Sequence, residues 1–373
     1  MAAVNFVLKM PKLVFGPGTS RLLSNELTSM GAKRPLLITD RGLIACGVFE
    51  RVQSPLGAQL PVFADVPENP TFAGVDHATA LLRERHCDVV VAVGGGSVID
   101  TAKMVAVLAG HSGCAADYVG HSEKITAATA PLIVLPTTAG TGSEASPDAG
   151  IHPTSNSRSS GVTSLHVVPT VAICDPDLTM TLPPRLTACT ALDALSHCIE
   201  GYLAIGDAPL TDAMALDGVT RVWQYIEAAT ADGQNREART QLMLGAFYGG
   251  VAIAKGLGPA HAIAITVGDQ DLHHGMLSGL GVVATIATMH QQVPERVNAV
   301  AGAMGLSGGE QIEGSLRRLF GKLRLPASLR DMGYRPGDLN ELARAAAASH
   351  FNLTSRYRPG EAEYARMLQN ILA

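Results

Sequence analysis

Five short apolar runs recur between helical stretches in the first half of this chain. They are PLLITD (35–40), PVFADV (61–66), DVVVAVG (88–94), PLIVLPT (131–137) and VPTVAICDP (168–176). Strands of nearly continuous Val, Ile and Leu are buried on both faces, and strands joined through helices run parallel. The pattern predicts an α/β domain: a parallel sheet with helices on both faces, its crossovers including the amphipathic segments FAGVDHATALLRER and SVIDTAKMVAVLAG. Ligands of such sheets bind beyond the carboxyl ends of the strands. The N-terminal MAAVNFVLKMPKLVFGPG reads as two short strands ending at a Gly-Pro-Gly turn, because Lys9 and Lys12 interrupt the apolar run that a signal peptide needs.

The texture changes after LTMTLPPRLTACTA. Ala- and Leu-rich helical segments dominate from about 185 onward, among them TDAMALDGVTRVWQYIEAA, REARTQLMLGAFYGGVAIA, PERVNAVAGAMG, EQIEGSLRRLFGKL and PGDLNELARAAAAS. With Pro183-Pro184 as punctuation, the expected division is an α/β domain over 1–180 and an all-α domain over 181–373. A chain of 373 residues holds two such cores. The crevice between them is the expected place for a site.

Charge excludes some partners. A net charge of −5 argues against nucleic acid or an anionic membrane surface, and a single Trp leaves little to stack bases on. No uninterrupted apolar run reaches the roughly 18 residues of a membrane span. Six scattered cysteines without a C-x-x-C pair read as core thiols of a cytoplasmic protein.

Three stretches carry chemistry. VVVAVGGGSVIDTAK (89–103) runs a buried strand through Gly94, Gly95, Gly96 and Ser97 straight into a helix, where free amides and the helix dipole favour a phosphate. The same glycines also suit a plain strand-to-helix turn. It is not the G-x-G-x-x-G fingerprint, and the candidate acid, Asp40, precedes it; against a ribose, Asp40 would repel a 2′-phosphate and favour NAD over NADP, while by itself it equally suits the start of a turn. LPTTAGTGSEAS (135–146) follows another buried strand with amides and hydroxyls that suit a pyrophosphate or a carboxamide. In ALDALSHCIEGY (191–202), Asp193 and His197 stand one helical turn apart on one face. Such a pair alone equally suits an ordinary buried histidine. A second stretch, GLGPAHAIAITVGDQDLHHG (256–275), adds His261 and either His273 or His274. One carboxylate and three imidazoles suit Fe²⁺ or Zn²⁺, not Ca²⁺ or Mg²⁺.

GGGSVIDTAK, PTTAGTGSE, DPDLTMTLPPRLTACTALDALSHCIEGY and GLGPAHA followed by HHG, in this order, resemble the iron-containing (group III) alcohol dehydrogenase family over nearly the whole chain. The resemblance implies a dehydroquinate-synthase-like architecture with a nicotinamide-binding α/β domain and a helical metal domain. It implies Asp193, His197, His261 and His274 as metal ligands. It places Asp40, Asn69, Gly95, Gly96, Ser97, Thr137, Thr138, Thr141, Thr179 and Leu186 around the cofactor. The activity implied is hydride transfer between NAD(H) and a small alcohol or aldehyde, by a homodimer or higher homo-oligomer. Retention of Asp193 speaks against a maleylacetate reductase, and PTTAGTGSE with TLPP against the glycerol-dehydrogenase and dehydroquinate-synthase branches. A nucleotide-binding scaffold without turnover is the rival of a different class.

Three departures from the family pattern stand out. Ile265 occupies the position of a second histidine often assigned to proton relay. The His261-to-His274 spacing is one residue short, which leaves the register of His273 and His274 open. Gly275 matches the family's His-Gly step and favours His274 as ligand, with His273 then either bonded to a group behind the ligands or the candidate catalytic relay. Ser159, in the Ser-rich TSNSRSSGVTS, stands where relatives carry lysine.

Overall fold

The computed structural model describes residues 6–57, 59–154, 157–158 and 160–373. Ser159 therefore lies outside the described residues. Two compact units emerge. The α/β unit comprises Lys9–Thr138 and Gly142–Leu182; the helical unit comprises Pro183–Ala373 and takes Ala139–Thr141 with it.

The α/β unit is built on six parallel strands: β1 (Lys12–Phe15), β2 (Pro35–Ile38), β3 (Val62–Phe63), β4 (Val89–Gly94), β5 (Leu132–Pro136) and β8 (Val171–Cys174), in spatial order β1-β8-β5-β4-β2-β3. Every predicted run supplies one of these strands. β2, β4, β5 and β8 are buried along their whole length, as their uninterrupted Val/Ile/Leu composition requires. The N-terminal segment departs from expectation: among the described residues it forms one strand, β1, and not two. β1 pairs with β8 alone, at the edge of the sheet.

Five helices belong to this unit: α1 (Leu23–Ser29), α2 (Arg41–Ala45), α3 (Val48–Gln53), α4 (Phe72–Glu84) and α5 (Gly96–Gly110). α5 is not the amphipathic crossover that its sequence suggests. Val98, Ile99 and every residue from Thr101 to Leu108 are buried, Lys103 included. The reason is an antiparallel hairpin, β6 (Asp148–Ile151) with β7 (Ser160–Thr163), which packs on α5 and was not foreseen in the Ser-rich stretch.

The helical unit holds α6 (Pro184–Leu203), α7 (Pro209–Ala231), α8 (Arg236–Ile253), α9 (Pro259–Thr266), α10 (His274–Gln292), α11 (Pro294–Ala303), α12 (Ile312–Lys322), α13 (Leu339–Ala347) and α14 (Glu361–Leu372). Proline opens α6, α7, α9 and α11, where its missing N–H costs nothing and its fixed φ fits the first turn. α6 is the axis of the unit. From Thr187 to Leu203 every residue is buried, so its polar side chains must find partners inside the protein. α7, α8 and α10 reach it closely because glycines face it. A Cβ on Gly249 would lie 3.1 Å from His197 Cβ, and one on Gly275 would collide with the carbonyl of Cys189 and come within 2.9 Å of Asp193 Cβ.

The C-terminal stretch HFNLTSRYRPGEAEY is anchored through one buried side chain. Buried Asn352 donates to the carbonyls of Ala346 and Ala347 and accepts from Tyr364 Oη at 2.6 Å. The cysteines divide: Cys174, Cys189 and Cys198 are buried as expected, whereas Cys46 is exposed. No described helix is long and apolar enough to cross a membrane.

Candidate functional site

The helical unit gathers its histidines around one carboxylate. Asp193 and His197 lie one turn apart on α6, with His197 Nε2 at 3.8 Å from Asp193 Oδ1. His261, in the first turn of α9, stacks its ring on His197 at 4.8 Å between centroids and 20° between planes. His274 opens α10 with its Nε2 at 3.8 Å from the same Asp193 oxygen. Its ring lies 5.6 Å from that of His261. One ligand atom each from Asp193, His261 and His274 fall within 4.8 Å of one another.

Local sequence explains the convergence. Gly275 lets the start of α10 press against α6 beside Asp193, so the preceding residue is held against that carboxylate. Glycine also decides the path of PTTAGTGSE: a Cβ on Gly140 would lie 2.6 Å from Thr190 Cβ, and this contact with α6 ties Ala139–Thr141 to the helical unit.

Of the two adjacent histidines, His274 faces Asp193. His273 is the N-cap of α10 with extended backbone, φ −60° and ψ 118°, and its carbonyl accepts from Met276 and Leu277. Its ring is half-buried, and Nδ1 has no hydrogen-bond partner. Ile265 is half-buried on α9.

The electrostatics set Asp193 apart from other buried acids. Burial pushes its carboxyl up, but His197, His274 and His261, with a hydrogen bond from Ser278, more than offset this and hold it below the usual carboxylate range. Burial lowers His197 to about 4, against the opposing pull of Asp193, so its imidazole is neutral near pH 7 and can act as a ligand. Two buried atoms that converge in the cluster, Asp193 Oδ1 and His261 Nε2, have no hydrogen-bond partner. A buried polar atom left unpaired costs about 1–3 kcal/mol, so the two together call for an occupant. Carboxylate and imidazole donors at this separation fit a first-row divalent ion.

One residue of ALDALSHCIEGY escaped the sequence reading. Glu200 accepts from the His261 amide at 3.0 Å and from the Ala260 amide at 2.7 Å, and its Oε2 lies 2.7 Å from His261 Nδ1. It lies seven residues beyond Asp193 and three beyond His197, hence on their face of α6, and that spacing was the available signal.

In the α/β unit the expected cofactor residues collect at the carboxyl ends of neighbouring strands. Asp40 follows β2, Asn69 lies beyond β3, Gly95 to Ser97 follow β4, Thr137 and Thr138 follow β5, and Thr179 lies beyond β8. The chain runs outward from β2 to β3 and then returns to β4 on the other side of β2. Asp40 and Gly95 flank this reversal, the position where open α/β sheets bind ligands. Gly95 has no side chain to cap α5, and a Cβ there would stand 3.2 Å from Thr138 Cγ2. The first-turn amides of α5 are thus left open to a phosphate.

Several of these side chains already have work inside the protein. Half-buried Asp40 caps α2, its Oδ1 accepting from Leu43 N at 2.9 Å. The Ser97 hydroxyl donates to the Glu68 carbonyl, and Thr179 Oγ1 donates to the Pro176 carbonyl at 2.8 Å. Thr141 and Leu186 belong to the helical unit, Leu186 with 38% of its surface exposed.

Known proteins share both halves. The family model described as iron-containing alcohol dehydrogenase matches residues 11–176, and that for the C-terminal domain of the same family matches 187–371. A 4-hydroxybutyrate dehydrogenase of Cupriavidus necator is 40% identical, over 94% of this chain and 96% of its own length. Among solved structures, a 1,3-propanediol oxidoreductase superposes with a TM-score of 0.93 at 29% identity, over 98% of this chain and 100% of that one. A sulfoacetaldehyde reductase of Bifidobacterium kashiwanohense, solved with NAD⁺, gives 0.92 at 25% identity over the whole of both chains. Matched over both units in the order its motifs implied, this chain belongs to the iron-containing alcohol dehydrogenase family.

Proposed function

We propose that this oxidoreductase is a metal- and NAD(H)-dependent alcohol dehydrogenase or aldehyde reductase for small substrates, with one divalent ion held by Asp193, His197, His261 and His274. The observation that carries the reading is the convergence of unpartnered ligand atoms on buried Asp193 and His261, with two further imidazoles beside them. A divalent ion there supplies Lewis-acid polarisation of a carbonyl or hydroxyl oxygen, and the nicotinamide is the hydride carrier. The donor set suits Fe²⁺, in keeping with the family's name, and Zn²⁺ as well.

The chain's own groups divide the remaining work. The first-turn amides of α5, at Gly96 and Ser97, hold a dinucleotide phosphate, and Gly95 keeps the approach clear. Thr137, Thr138 and Thr141 line the cofactor, as do Asn69, Leu186 and Thr179, the last through its methyl and backbone because its hydroxyl is engaged. Asp40 caps α2 with Oδ1, and its charge disfavours a 2′-phosphate, so NADH is preferred to NADPH. His273, with an unpartnered Nδ1, takes up and returns the substrate proton, the task that Ile265 cannot perform.

The substrate class proposed is a short alcohol or aldehyde, with ω-hydroxy acids tried first because of the 40%-identical relative. The test is NADH oxidation by metal-loaded protein across short aldehydes, among them 4-oxobutanoate and other anionic ones. Turnover that disappears on metal removal and returns on re-addition supports the reading; an absence of turnover with every aldehyde contradicts it.

A further inference from the structure

Within the metal site proposed above, on which this inference rests, we infer that Glu200 is a positioning residue that fixes His261 in the tautomer able to bind a metal. Glu200 is itself buried, with 5% of its surface exposed, and both of its oxygens are used. Oε1 accepts from the Ala260 amide, while Oε2 accepts from the His261 amide and lies 2.7 Å from His261 Nδ1. One oxygen therefore binds the backbone and the ring of the same residue. That chelate fixes the imidazole's position and its direction together.

The tautomer follows from the donor inventory. Both carboxylate oxygens already act as acceptors toward amide N–H groups, and the ring completes the set by donating from the nitrogen that faces Oε2 at 2.7 Å. With Nδ1 protonated, a neutral imidazole presents a bare lone pair at Nε2. That Nε2 is the buried atom without a partner, on the side of the cluster. Metal-bound histidines commonly donate their second N–H to a carboxylate in this way.

The start of α9 is shaped around the same carboxylate. The N-cap is Gly258, which offers no side chain, and the first helical residue is Pro259, which offers no N–H. The first two free amides of the helix are those of Ala260 and His261, and Glu200 of α6 takes both. It serves as an N-cap delivered from another helix. Gly258 is required for this, because a Cβ there would come within 2.9 Å of Glu200 Oε1.

Glu200→Gln separates a tautomer-setting role from a purely structural one. Gln keeps the volume but brings two N–H donors to a place where three donors already converge. If its amide nitrogen faces Nδ1, that nitrogen must accept, and the proton moves to Nε2, where it blocks the ligand position. In metal-free wild-type protein with ¹⁵N-labelled histidine, two-bond ¹H–¹⁵N spectra should show His261 as the Nδ1–H tautomer, assigned by the signals lost in His261→Asn. In Glu200→Gln the Nε2–H form should gain population, and Zn²⁺ affinity in chelator competition should fall about 10–100-fold. A wild-type Nε2–H tautomer overturns the inference, and that spectrum decides even if the variant fails to fold. Unchanged Zn²⁺ affinity in Glu200→Gln, beside its loss in His197→Ala, also overturns it while sparing the metal site. Wild-type protein that takes up no Zn²⁺ removes both.

Discussion

Each unit buries a cluster of ionisable groups, and the two clusters are built on opposite plans. In the α/β unit, Lys103 lies fully buried on α5 and donates to the Ser146 carbonyl at 3.0 Å, to Ser146 Oγ and to the Asp148 carbonyl. Around it stand Asp100, Glu144 and Asp148. Burial raises all three carboxyls, Glu144 to about 7, with Lys103 pulling the other way in each case. Burial likewise lowers Lys103. In the helical unit, buried Asp193 is held below the usual range, and the groups around it are imidazoles. The first cluster carries its own cation in Lys103, although Asp100 Oδ1 and Asp148 Oδ1 are left without a hydrogen-bond partner. The second sets a carboxylate among imidazoles with no cationic side chain at its centre and leaves Asp193 Oδ1 and His261 Nε2 unpartnered, which suits a cation supplied from outside. The lesson is that depth of burial does not separate a structural ion cluster from a ligand set; the presence of an internal cation does.

Predictions follow from breaking either plan. The largest effect is expected at the imidazole cluster: His274→Ala should lose the metal and with it turnover. His273→Ala should keep the metal and slow turnover about 10²-fold, as loss of a proton-transfer group does. Metal content and kcat measured on both variants check this, and the reverse pattern exchanges the two roles. Next comes Lys103→Met, which strips the α/β cluster of its cation. It should cost about 3–5 kcal/mol in urea unfolding, the order expected on breaking a buried ion pair, while metal content per folded chain stays unchanged.

A smaller effect is expected at Asp40. Because this side chain caps α2, Asp40→Asn is the informative change: Asn caps as well as Asp but carries no charge. The ratio of kcat/KM for NADH over NADPH should fall by about tenfold, the order of one partly screened charge pair. An unchanged ratio would reduce Asp40 to its capping role.

The smallest effect is a slope in pH. Glu144 is raised by burial from 4.5 to about 7, so the folded protein binds its proton more tightly than the unfolded chain. Its contribution to stability is fully present below pH 4.5 and is lost as pH rises to about 7. Glu144→Gln, which cannot ionise, should flatten the fall in Tm across that window relative to wild type.

Much of this was legible in the chain. The β2, β4, β5 and β8 runs could be read because strands buried on both faces leave no room for polar residues. Asp193 and His197 could be read because a helix turn fixes which side chains meet, whereas His261 is reached through the second histidine-rich stretch and the family resemblance. Other features depend on contacts distant in sequence. Nothing near Gly140 announces that its loop will press against Thr190, and nothing in SVIDTAKMVAVLAG says that a hairpin some forty residues on will bury Lys103. Glu200 stood in the stretch singled out for its Asp and His, at helical spacing from both. Its role appears only when α9 delivers the His261 ring and two amides to it.

The central claim is that the imidazole cluster is a metal site, and metal analysis of the purified chain tests it most directly. Wild-type protein, reconstituted with Fe²⁺ or Zn²⁺ and freed of excess ion, should hold one equivalent per chain. His197→Ala should hold almost none while still binding NADH. A His197→Ala protein that keeps its equivalent, or a wild-type protein that holds none, would contradict the account.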